Sequence, residues 1–138
     1  MSSRLLVNSI RHTGASSDSI TFDNAGKSAF TGGVSGNLSA ASSASTITLD
    51  MGTACHHTVT LAHNTTFADP SNEVAGQSGS IIITQDGTGS RTAAWNSAWK
   101  WIGGTAPTLS TSANAVDRID YLVVAAGNIQ AVASLDVK

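Results

Sequence analysis

A chain of 138 residues fits one ordinary domain, or a small domain with an appended arm, and leaves no room for two full cores. Only 12% of the residues are Asp, Glu, Lys or Arg, and a formal net charge of −2 supplies no cationic cluster to neutralise phosphates, which excludes nucleic acid as the main partner. No apolar run approaches the roughly 18 residues that a membrane span needs, and the run before Asn8 is too short for a secretory signal, so the reading is a soluble, cytoplasmically synthesised protein with no membrane partner.

In chain order, residues 1–30 alternate weakly, with Leu5, Leu6, Val7, Ile10, Ile20 and Phe22 as the apolar positions on either side of a polar loop at 12–18. Turn-forming Asp23, Asn24 and Gly26 predict a hairpin over 19–30. So few large apolar side chains cannot hold up a core, so this segment reads as an arm that needs a partner. Residues 31–45, TGGVSGNLSAASSAS, have the composition of a connector. As a random coil such a connector spans on the order of 20 Å.

From residue 46 the pattern sharpens into strands at 46–50, 57–61, 80–84, 121–124 and 129–133, the first two alternating Thr with aliphatic residues. Turn signals fall at Asp69-Pro70, residues 86–89, Gly103-Gly104, Pro107 and Gly127-Asn128. Residues 112–119 are the best helical stretch, at most two turns. The expectation is an all-β antiparallel sandwich over 46–138, small for a single core and poor in the edge charges that discourage strand pairing, hence covered by neighbouring subunits. The lone Cys55 cannot form an internal disulfide, so stability must come from packing or assembly.

The dense group of possible metal ligands is Cys55, His56 and His57, with His63 six positions after His57. Period two allows His57 and His63 to share a face, but the spacing matches no zinc pattern and no second pair of ligands follows, so no cofactor is expected. Catalysis has no support either. Gly76-Gln77-Ser78-Gly79 misses the nucleophile-elbow spacing, the glycines at 87 and 89 precede a strand-like run and not a helix N-terminus, and the acidic residues sit in turn-like positions. Asp86-Gly87-Thr88-Gly89 reads as a hairpin turn, and Asn64-Thr65-Thr66 as a glycosylation pattern without meaning in an unsecreted chain. Trp95, Trp99 and Trp101 share one parity, so an extended strand would present them on one face. Burial in the core or a subunit interface is the preferred role, a sugar-stacking platform the rival.

The block AGQSGSIIITQDGTGSRT at 75–92, followed by Trp95, by Trp99-Lys100-Trp101 and by GTAPTLS at 104–110, resembles a module of tailed-phage virion proteins, marine and cyanobacterial ones especially. The opening RLLVNSI at 4–10, with ITFD at 20–23 and Gly26, is similar to the N-terminal arms of phage fibre and appendage proteins. The resemblance implies a non-enzymatic virion protein: a jelly-roll-like sandwich over 46–138, a homotrimer, anchored to other virion proteins by residues 1–30. With Lys138 following directly on the sandwich, a short tail fibre or appendage is the leading expectation and a capsid decoration protein the alternative. A carbohydrate-binding module contacting host surface polysaccharide is the alternative of another class.

Overall fold

The computed structural model describes Ser9, Ile10, Thr13, Gly14 and residues 20–22, 28–30 and 35–138. The chain divides into two compact units, Met1–Ser35 and Gly36–Lys138. In the first, β1 (Ser9–Ile10), β2 (Ile20–Phe22) and β3 (Ser28–Phe30) make a three-stranded antiparallel sheet in that order, with Ile10 opposite Ile20 and Ile20 opposite Phe30. The β2–β3 pairing is the hairpin expected from the turn residues at 23–26. Leu5, Leu6 and Val7 lie outside the described residues, Ile10 is exposed, Ile20 is half-buried, and Phe22 ends β2.

The second unit is all-β, and its strands are β4 (Leu38–Ala40), β5 (Thr46–Ile47), β6 (His56–Leu61), β7 (Thr65–Phe67), β8 (Ser78–Gln85), β9 (Ala93–Trp95), β10 (Trp99–Trp101), β11 (Val116–Ala125) and β12 (Asn128–Ser134). They form a six-stranded sheet in the order β10-β12-β11-β8-β6-β4 and a three-stranded sheet in the order β5-β7-β9, with one hydrophobic core of residues from both. From β4 to β9 the chain alternates between the sheets, and every neighbour in these ladders is parallel. The chain therefore winds through three stacked coils, each contributing one strand to each sheet, and a further parallel bridge joins Asp50 to Ser71 between the first two.

The corners of successive coils are tied together by side chains. Ser43 Oγ accepts from the Ala62 amide, Thr65 Oγ1 donates to the Ala44 carbonyl, and Gln77 Nε2 donates to the Met51 carbonyl. Asn64 Oδ1 accepts from the Thr92 amide and Asp69 Oδ1 from the Ala98 amide. Buried backbone polar groups must be paired, and Ser, Thr, Asn and Asp corners do this without adding charge. The hydroxyl-rich, charge-poor composition is thus the material of the stack.

The all-β sandwich is as expected, and its sheets are mixed: antiparallel ladders, the expected kind, stand beside coils of parallel strands. In this unit the antiparallel ladders are β8·β11 and β11·β12, while β10 joins β12 in parallel. A tight turn can only produce antiparallel neighbours, whereas parallel neighbours need a long crossover, here supplied by the strand that passes through the opposite sheet. The turn at 86–89 is accordingly not a hairpin. It is the corner between β8 and β9, where Asp86 accepts from the Thr88 and Gly89 amides and pairs with Arg91 at 2.8 Å.

Two other boundaries differ from expectation. Residues 112–119 hold no helix: Asn114 turns the chain at a φ of 61° and β11 starts at Val116, burying Asp117, Ile119, Tyr121 and Val123 at period two. Within the stretch read as a connector, residues 38–40 are the edge strand of the large sheet, and Ala41 and Ala44 pack on the core. Small side chains leave no periodic apolar signal, although they suit the end of a stack.

Candidate functional site

The three tryptophans come together, though not on one strand. Trp95 closes β9 in the small sheet and Trp99 opens β10 in the large one. Between them the chain crosses over, with Asn96 donating its amide to the Phe67 carbonyl and Asp69 holding the Ala98 amide. Parallel register places Trp95 beside Phe67 one coil earlier, so their rings stack at 4.4 Å with 14° between planes. Trp99 and Trp101 each meet Trp95 edge-on, at 5.1 and 4.8 Å, and Trp99 reaches Tyr121 at 6.3 Å. Each such pair adds about 0.5–1.5 kcal/mol beyond area burial. Trp99 is buried and donates its indole N–H to the Ala68 carbonyl, while Trp95 and Trp101 are half-buried. Because the rings cover one another, the shared flat face expected of one extended strand does not form.

His57 and His63 are not brought together. His57 points inward from β6 at 2% exposure, its Nε2 without a hydrogen-bond partner among the described residues. Burial pushes its pKa below 6.5, opposed by a hydrogen bond to the Ala54 backbone. His63 is exposed beyond the strand end, with Nδ1 against Ser43 Oγ at 3.0 Å. Among the described residues no three His, Cys, Asp or Glu side chains group as a metal site.

The buried polar groups missed by sequence reasoning are internal clamps. Gln85 donates from Nε2 to the Arg91 carbonyl and accepts at Oε1 from the Arg91 amide. Asp117 accepts from the Ser110 and Asp136 amides, fixing the segment that leads to β11 and the C-terminal residues. The Tyr121 hydroxyl donates to the Cys55 carbonyl at 2.7 Å across the face of Gly79, and burial pushes its pKa up to about 12. A period-two strand pattern marks such positions as inward-facing but cannot say which loop they will hold.

The remaining feature is the outer face of the large sheet around β10, β12 and β11. A groove of about 520 Å³ runs across it, bordered by Lys100, Ile102, Leu122, Gln130 and Val132. Three of these border residues are apolar side chains exposed by 80% (Ile102), 45% (Leu122) and 51% (Val132). The sequence signal was available: Tyr121-Leu122-Val123-Val124 is apolar at both parities, as in a strand with two covered faces.

Fold and polar groups together define a coil-stacked β-sandwich whose buried polar side chains serve its own loops. The chain belongs to the family described as "Putative phage tail fibre C-terminal domain", which matches residues 47–128, more than half of its length, from the end of β5 to the start of β12. It is thus a phage tail fibre protein, a structural part of the virion. No curated protein and no solved structure matches it.

Proposed function

We propose that this chain is a homotrimeric subunit of a short tail fibre or appendage, carrying its coil-stacked unit outward and attached to another virion protein by residues 1–30. The observation that carries the reading is the family match over residues 47–128. Support for a separate attachment role comes from the division at Ser35, since the matched region lies wholly in the second unit. The homotrimer draws support from a charge-poor, edge-exposed small domain that gains stability by association. The function is packing and positioning, with no cofactor.

Quantitative mass spectrometry of purified particles tests the placement. A tail appendage is expected far below the abundance of the major capsid protein, and a copy number approaching it would move the chain to capsid decoration. Deleting residues 1–30 is expected to abolish incorporation into particles. Unchanged incorporation would remove the arm from the proposal.

A further inference from the structure

Residues 50–55, the corner that leads from β5 into β6, take hydrogen bonds from every coil of the stack. Asn37 Nδ2 donates to the Thr53 carbonyl at 3.0 Å, the Met51 amide donates to the Ser71 carbonyl at 2.9 Å, and the Ser80 amide and Tyr121 Oη both donate to the Cys55 carbonyl. The second residue of β6, His57, points into the core at 2% exposure. Its ring bonds to the Ala54 backbone, and its buried Nε2 has no partner among the described residues. A neutral imidazole can leave that nitrogen bare, whereas an imidazolium would bury a charged N–H with nothing to accept it.

The surroundings do not supply that acceptor. On the corner, the Asp50 carboxylate attracts a charge on the ring, but it already accepts from the Gly52 amide at 2.9 Å and from Asn72 Nδ2 at 2.8 Å. His56, the preceding residue on the strand, repels such a charge. Cys55 and Tyr121 are the other titratable groups at the corner, and the Tyr121 hydroxyl is held by the Cys55 carbonyl. The ladder neighbours of His57, Ser39 on β4 and Ile81 on β8, carry no charge. The ring also has a short way out. On one side of β6 lies β4, three residues long and the edge of its sheet, whereas on the other β8 is paired with β11 from Ser78 to Thr84. Local opening draws on the segments with fewest pairing partners. Releasing His57 therefore requires parting the corner and β4 from β6, and leaves the ladders beyond β8 intact.

We propose that His57 is an acid-sensitive latch of the coil stack: on taking up a proton its ring leaves the core, and residues 50–57 and β4 open while β8, β11 and β12 stay paired. The latch depends neither on the homotrimer nor on the attachment role. Hydrogen exchange of the full chain, read by mass spectrometry at about pH 7.5 and 5.5 and corrected for the chemical exchange rate, tests it. A histidine released to water titrates at about 6.5, so the lower pH favours the open form by up to about tenfold. The expected result is exchange severalfold faster, up to that limit, in residues 38–40 and 50–57, and unchanged in 78–85 and 116–124. H57F should abolish the response, with H57Q as a second variant in case the larger ring does not fit, and H63Q, which changes an exposed histidine, should keep it. Equal exchange at the two pH values would overturn the latch. So would an acceleration spread evenly through residues 36–138, or a response that survives in H57F and H57Q.

Discussion

Replacing Gly79 by alanine drives a methyl group into the Cys55 carbonyl, because β8 passes β6 at this point with no room for a Cβ. The added carbon would overlap the carbonyl oxygen outright and lie 2.7 Å from the carbonyl carbon and from the Tyr121 hydroxyl. Both contacts are structural: Cys55 O accepts from Tyr121 Oη at 2.7 Å and from the Ser80 amide at 3.3 Å. Relief requires the strands to separate locally, an overpacking cost of about 1–3 kcal/mol. Loss of the Tyr121 hydrogen bond adds about 1 kcal/mol. For a unit of this size the sum corresponds to a fall in Tm on the order of 15 °C. Thermal and urea unfolding followed by circular dichroism measure it. Y121F isolates the hydrogen bond at about 1 kcal/mol, so the excess of G79A over Y121F is the steric part. G87A, where an added Cβ meets nothing within 4 Å, is the neutral control. A G79A protein melting within about 2 °C of wild type would refute the close approach of β6 and β8.

Two further outcomes concern buried titrating groups. His57 is held neutral by burial, with a folded-state pKa below 6.5, so the unfolded chain takes up the proton first as pH falls. Stability is full above about pH 6.5 and declines from there toward the folded-state value, where ordinary carboxylates are still ionised. Urea midpoints at about pH 7.5 and 5.5 should differ for wild type and converge for H57F; equal wild-type midpoints would contradict the burial. Tyr121 is the single tyrosine of the chain, and its phenol is pushed up to about 12 by burial. Tyrosinate absorbance should therefore rise at about pH 12, and stability should fall as pH climbs from about 10 toward that value. A folded protein titrating at its ordinary 10.0 would place the hydroxyl in water.

What the sequence by itself determined is the all-β class, the longer strands and which of their side chains face inward. The predicted runs at 57–61, 80–84 and 129–133 fall within β6, β8 and β12, and the run at 121–124 within β11, because alternating β-branched and aliphatic residues write period two directly into the chain. Asp86, Gly87 and Gly89 marked a turn correctly, since local hydrogen bonds to an Asp carboxylate depend only on nearby residues. β4, β7 and β9, with the sequences LSA, TTF and AAW, were not legible: they are three residues each, and small or hydroxyl side chains carry no periodic signal.

Only the tertiary structure decided which strands pair and in which direction. Thr66 lies beside Thr46 in one ladder and Ala94 in the next, separations of 20 and 28 residues that no local propensity encodes. Period two separates inside from outside but is silent on partner and polarity, so the stack of parallel coils was read as antiparallel hairpins. The tryptophans show the same division. Their large apolar rings required burial among other aromatic groups, and parity alone suggested a shared face. The crossover at 96–98 turned that face into a cluster by putting Trp95 and Trp99 in different sheets. Long-range packing, which pairs residues distant in the chain, supplied the direction that local chemistry lacks.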